Sequence, residues 1–221
     1  MRAGSILTVI AALGLTATAA EAQVIVLGDG PAQACWESAE YGIGSMNEGF
    51  TICTEALTQP GTSARDRAAT YTNRAVIRMR AGDYAGSLAD ADASIGLMPS
   101  MGEAHVNRGA ALLNLMKPKD ALVAINKGLD LGTSKLHLVY YDRAAAKEIL
   151  GDIRGAYNDY KTALEQKPDF ALAAEQLTRF TVVRHAASVS IDRHGNVVSD
   201  GVDDVQIALK TPRTVPAKAA E

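Results

Sequence analysis

The sequence predicts an all-α chain, an array of antiparallel helix hairpins, and three observations predict it. Short strings recur: Asn73-Arg74-Ala75, Asn107-Arg108-Gly109 and Asp142-Arg143-Ala144 stand 34 and then 35 residues apart, which is a structural period rather than a catalytic signature. Within each period a second small residue follows the first after 12 residues: Ser87 after Ala75, Ala121 after Gly109, Ala156 after Ala144. Two antiparallel helices need one place where their backbones come closest, and Gly, Ala or Ser on both partners leaves room there. Breakers stand where such helices must end. Ala81-Gly82-Asp83, Met116-Lys117-Pro118 and Leu150-Gly151-Asp152 lie inside the hairpins, while Pro99, Gly132-Thr133 and Pro168 lie between them.

The first residues read as an address rather than as fold. Arg2 is the only charge before a run from Ile6 to Leu15 that is apolar apart from Thr8 and Gly14, and Ala20-Glu21-Ala22 follows as an A-x-A cleavage site. Residues 1–22 are therefore expected to be a signal peptide and 23–30 an extended mature N-terminus. The apolar run is too short for a lasting span, so no stable membrane insertion is expected after cleavage. With no lipid-accepting Cys and no twin arginine nearby, the expected destination is the periplasm or the exterior.

Residues 31–60 read as a short, degenerate hairpin, with Ala39 and Gly49 as its small pair and Gly42-Ile43-Gly44-Ser45 as its turn. Cys35 lies four residues before Ala39 and Cys53 four after Gly49, so in an antiparallel pair the two cysteines face each other. An even Cys count in an exported chain favours a disulfide, which in the chain-entropy account stabilises by roughly 3 kcal/mol. The rival reading is a redox pair. Thiol oxidoreductases place their cysteines close together at a helix N-terminus, whereas these are 18 residues apart, and the wide spacing favours the staple.

Large residues also keep the register: Tyr71, His105 and Tyr140 precede the first small residue by four, and Leu88, Leu122 and Tyr157 follow the second by one. With these in place, motifs such as Tyr71-x-x-Arg74-Ala75, Gly82-Asp83-Tyr84 and Pro99 make the chain resemble tetratricopeptide repeat (TPR) proteins. The match covers 68–101, 102–136 and 137–170. The resemblance implies a right-handed superhelical α-solenoid. Three departures stand out: Arg where an apolar residue commonly precedes the small one, a one-residue insertion in the second unit, and Thr133 where Pro is usual. After Pro168, Leu172, Leu177 and Phe180 continue at helical spacing, so 171–184 is expected to be a capping helix. The tail, 185–221, is expected to hold a small hairpin around Arg193-His194-Gly195 and then disorder.

Composition argues against several functions. A net charge of −3 offers nothing for nucleic acid, and an aromatic content of 5% suits Ala-rich helices. Val24 to Gly30 resembles a strand entering a dinucleotide turn, but Gln33 stands where the third Gly belongs and Pro31 intrudes. His105, His137, His185 and His194 are not at ligand spacing with Cys or paired carboxylates. No catalytic residue, metal or cofactor is expected. Arg74, Arg108 and Arg143 are either an anion-binding stripe or ties between helices. Asp90 and Asp159, 69 residues apart on second helices, favour ties, with Ala124 interrupting the series.

The resemblance implies that the first helix of each unit lines an inner groove. The stripe expected there is Thr72, Asn73, Val76 and Arg80, then Val106, Asn107, Ala110 and Asn114, then Tyr141, Asp142, Ala145 and Glu148. Asn side chains that both donate and accept suit extended peptide backbone. Some family members hold a peptide's terminal carboxylate between Lys, Asn and Arg of successive first helices. The matching places here carry Thr72, Val76, Asn107, Leu138 and Asp142, which do not support that activity. The expected function is a non-enzymatic adaptor or scaffold binding a protein or peptide in the groove. The alternatives are a cell-envelope component acting through its convex face or tail, and a thiol redox factor.

Overall fold

The computed structural model describes residues 30–185, 189–191, 194, 196–199 and 204–210. The expected signal peptide, the lead-in before Gly30 and the stretch after Lys210 lie outside the described residues. Helices α1 (Pro31–Tyr41) and α2 (Met46–Thr58) make the first hairpin. The three repeats are α3 (Ala64–Arg80) with α4 (Tyr84–Leu97), α5 (Gly102–Asn114) with α6 (Pro118–Leu131), and α7 (Leu136–Ile149) with α8 (Ile153–Gln166); a short α9 (Ala171–Leu177) follows. Each second helix packs on the next first helix, α2 on α3, α4 on α5 and α6 on α7, so the hairpins stack in sequence order. The first repeat starts earlier than its period suggests, because Ser63 accepts the Asp66 amide at 3.1 Å and caps α3.

Turn chemistry repeats with the period. Gly82 (φ 79°), Met116 (φ 59°) and Gly151 (φ 86°) take the left-handed backbone that closes each first helix. Asp83 and Asp152 then cap α4 and α8, accepting from the Gly86 and Gly155 amides at 2.8 and 2.9 Å. The middle turn has Lys117 instead, with no side-chain cap and Pro118 at the first helical position.

The small pairs lie at the crossings. In the first repeat the Ser87 hydroxyl donates to the Ala75 carbonyl at 2.9 Å. In the third, Ala144 and Ala156 are both 0% exposed. In the second, a methyl on Gly109 would sit 3.0 Å from the Ala121 carbonyl oxygen and closer still to Ile125, so only Gly allows this approach. The core runs along the stack from Cys35, Ala39, Cys53 and Ile77, through Leu112, Ala121 and Ala146, to an aromatic cluster of Tyr160, Phe170 and Phe180.

The C-terminal part differs from the sequence reading. The helix expected over 171–184 ends at Leu177, and Phe180–His185 forms β1. Its partner is β4 (Asp204–Leu209), antiparallel from Phe180 opposite Leu209 to His185 opposite Asp204, inside a stretch expected to be disordered. Nested within, β2 (Val189–Ile191) pairs with β3 (Val197–Ser199), Ile191 opposite Val197. The outer pair is ordered by burial. Phe180 packs against Tyr157 and Tyr160, with Ile207 and Leu209 on the same cluster, so this ribbon covers the apolar end of the array in place of a longer helix.

Candidate partner-binding groove

The charged ladder inside the hairpins is consumed by structure. Arg74 donates through Nε and Nη2 to both oxygens of Asp90, at 2.9 and 2.7 Å, and through Nη1 to Thr54 Oγ1 at 3.1 Å. Arg78 adds a second cation, its Nε 3.3 Å from Asp90 Oδ2 but out of line for a hydrogen bond. The third repeat copies the arrangement. Arg143 grips Asp159 with two bonds of 2.8 Å and Lys147 lies 2.8 Å from the same carboxylate. The hydrogen bond to Asp159 holds the Arg143 guanidinium above its usual pKa against the opposing effect of burial. In the middle repeat, where Ala124 replaces the carboxylate, Arg108 turns back to Asp92 of the preceding hairpin at 2.8 Å, half-exposed. These arginines are ties between helices.

Cys35 and Cys53 form a disulfide, with Cα atoms 4.7 Å apart and both residues 0% exposed. It joins α1 to α2 in the core of the first described hairpin.

The first helices also meet one another across units, α1 with α3, α3 with α5 and α5 with α7. No comparable packing joins α4 to α6 or α6 to α8. The array is therefore curved with its first helices inside. On that face Arg80 and Asn114 are exposed, and Asn73, Val76, Asn107, Ala110 and Asp142 are half-buried. Asn107 donates to the Thr72 carbonyl at 3.2 Å, tying α5 to α3. Asn114 donates to the Ala110 carbonyl at 2.9 Å, and Arg80 reaches the Ser38 carbonyl at 3.4 Å.

Five of the residues expected on the stripe serve the interior instead. Thr72 is buried, its hydroxyl hydrogen-bonded to the Ala68 carbonyl (3.0 Å) and shared with Ser94 Oγ (2.9 Å). Val106 packs with Ile125 and Val139, and Ala145 packs with Leu112 and Leu113. Tyr141 turns its ring edge toward Tyr160 and Phe170, at centroid distances of 5.5 and 5.6 Å. Glu148 is buried, bonded by Arg179 Nη2 at 2.6 Å and by the Tyr160 hydroxyl at 3.3 Å. Thr72 and Val106 are covered chiefly from the second helix of their own unit, Ala145 from α5, and Tyr141 and Glu148 are engaged by α8 and the segment after it, so only a narrow inward strip stays open. A residue outside the expected stripe joins that strip: Leu138 is 40% exposed on the first turn of α7, at the repeat place held by Ala69 and Glu103. Its signal was the period itself.

Among the described residues no group of three or more His, Cys, Asp or Glu is placed to hold a metal, and no helix is long and apolar enough to cross a membrane. No protein-family model matches the chain. It is similar to a protein SGT1 homolog of Oryza sativa subsp. japonica, 31% identical over 83 residues, covering 38% of this chain and 23% of that protein. It is also similar to a serine/threonine-protein phosphatase T of Trypanosoma brucei brucei, 39% identical over 61 residues, covering 28% of this chain and 13% of that protein. The matched stretches thus span less than a quarter of either relative. Among solved structures, MamA from Desulfovibrio magneticus RS-1 (41-end) superposes with a TM-score of 0.53 at 18% identity, over 68% of this chain and 82% of that one. The first TPR of Spaghetti (RPAP3), bound to an HSP90 peptide, matches with a TM-score of 0.48 at 22% identity, over 52% of this chain and 92% of that one. Three hairpins spaced by 34 and 35 residues, stacked with their first helices inside and superposing on MamA, give the chain the tetratricopeptide repeat fold.

Proposed function

We propose that the chain is a non-enzymatic adaptor that holds an extended polypeptide along its concave face, in an oxidising compartment outside the cytoplasm. One observation carries the reading: the polar strip of Asn73, Arg80, Asn107, Asn114 and Asp142, with Leu138 at its end, lies along three first helices that pack side by side. Primary amides that donate and accept suit main-chain peptide groups. Leu138 adds an apolar foothold, and the array holds the strip rigid so that little ordering cost falls on the receptor. The stronger ionisable groups, Asp90, Asp159 and Glu148, are engaged in ties within the array, which supports a binding rather than a catalytic role. The disulfide and the apolar N-terminal run with its A-x-A site support export to the periplasm or beyond.

Photoreactive residues at positions 73 and 114, compared with 127 on the outer helix α6 and 206 on the ribbon, test this in intact cells. Polypeptide adducts are expected from the two inner positions. Adducts from 127 or 206 with none from 73 or 114 would instead establish the convex face or tail as the working surface.

A further inference from the structure

One contact crosses the inner face without belonging to any helix interface. Lys135 Nζ lies 2.5 Å from Glu40 Oε2, joining residues 95 apart in sequence, with side chains 46% and 31% exposed. Glu40 is in the last turn of α1 and Lys135 immediately precedes α7. These helices do not pack together; α3 and α5 stand between them. In every hairpin the first helix runs from the inter-unit edge to the hairpin turn, so the C-terminal end of α1 and the N-terminal end of α7 belong to opposite edges of the inner face. A bond between them runs diagonally across it.

The local backbone is built for this contact. Lys135 has φ 52°, the left-handed region that residues other than Gly rarely adopt. The connector Gly132 to Lys135 is where Thr133 replaces the usual Pro and where the second unit gains its extra residue. Its Ser134 amide donates to Glu103 Oε1 at 3.1 Å, pinning the connector to α5. At the other end of the bond, the disulfide makes α1 and α2 a single stapled body. That body is seated on α3 by Ala39, Val76 and Ile77 with the cystine, by the bonds from Arg74 to Thr54 and from Arg80 to the Ser38 carbonyl, and by Phe50 under the guanidinium groups of Arg74 and Arg78. The segment that joins it to α3 contains Gly61 in a left-handed backbone with open space around it (φ 78°).

We propose that the Glu40–Lys135 pair is a latch that holds the disulfide-stapled hairpin across the concave groove, so that a polypeptide gains the groove when the latch opens. This rests on the reading of that groove as the binding surface. A half-exposed ion pair shifts an equilibrium only a few-fold, which makes the latch one that opens readily and more so as salt is raised.

The test uses the full mature chain with spin labels placed through non-cysteine residues at 43 and 134, leaving the disulfide intact. The wild-type protein is expected to show a dominant short distance and a minor longer one. Glu40→Gln and Lys135→Gln should each raise the population at longer distance by about two- to five-fold, and the exchange of Glu40→Lys with Lys135→Glu should return it to the wild-type value. Unchanged distance distributions in both single variants overturn the latch, whatever the groove binds. Crosslinking from position 114 in the Glu40→Gln background gives the second readout. If the hairpin opens and groove adducts rise, both readings stand; if it opens and no polypeptide is captured from the groove, the latch stands and the polypeptide reading falls.

Discussion

The outer repeats and the middle one hold their two helices together by different means. In the first and third, a carboxylate on the second helix, Asp90 or Asp159, is gripped by two cations four residues apart on the first. In the middle repeat the corresponding places carry Arg108, Leu112 and Ala124, and the crossing is made by Gly109 against Ala121 and Ile125. The second cation and the carboxylate are both absent there, which leaves neither charge buried alone. Close approach of backbones replaces the polar tie, since Gly109 admits a distance that a methyl would forbid. Helix pairs of one fold can thus be joined either by a charge cluster or by packing, but a mixture of the two would strand a charge.

The largest test of that comparison is Asp159→Ala. Arg143 and Lys147 would lose their shared partner, and removing one side of a buried pair costs about 3–5 kcal/mol. Because each cation's side chain is 21% exposed, the lower end, about 3 kcal/mol, is expected in a denaturant titration. Adding Lys147→Leu moves the unit toward the middle one's arrangement and should recover part of the loss, a coupling that a double-mutant cycle measures. Strict additivity of the two changes would show that the charges do not act as a cluster.

Next in size is the turn, where the middle unit is the poorer. Met116 takes the left-handed place that Gly82 and Gly151 fill in the outer turns, and Lys117 stands where Asp83 and Asp152 cap the next helix. Met116→Gly with Lys117→Asp should therefore stabilise the array by about 1–2 kcal/mol, from the relieved backbone and the new cap. No gain in the denaturant midpoint would mean that Pro118 already sets this helix start, and the difference between the turns would carry no energy.

What could be read from the sequence was whatever repeats. The hairpins, their crossings and the Arg–Asp ties are fixed by spacing within about one period, so Asn73, Arg74 and Ala75 announce their counterparts. The depth of a residue does not repeat so simply. Val106 and Asn107 are neighbours on one helix, yet only the second reaches the open strip, because the turn of the helix between them sets Val106 against Ile125 and Val139. Glu148 was legible only with Arg179, which lies 31 residues later and outside the period. The ribbon failed for a similar reason. Thr181, Val182 and Val183 have strand character, but β1 is paired by Asp204–Leu209, beyond the β2–β3 hairpin, and no local pattern announces that pairing.

The smallest effect lies where the middle repeat meets the third. His137, on the first turn of α7, sets its ring edge-on to Phe170 at 5.0 Å. Burial there, followed by the nearby charges of Lys167 and Lys135, holds its pKa below the ordinary 6.5. In the unfolded chain the ring takes up a proton as pH falls through about 6.5, while the folded chain resists until its own lower value is reached. His137 therefore leaves stability undiminished above that pH, removes some as pH falls below it, and removes no more once the folded ring is also protonated. His137→Phe keeps the contact with Phe170 and has no proton to bind, so the difference in melting temperature between variant and wild type should widen on acidification from about pH 7.5 to 5. A difference that stays constant over that range would mean that the junction tolerates the imidazolium, and that the lysines flanking it exert no measurable field on the ring.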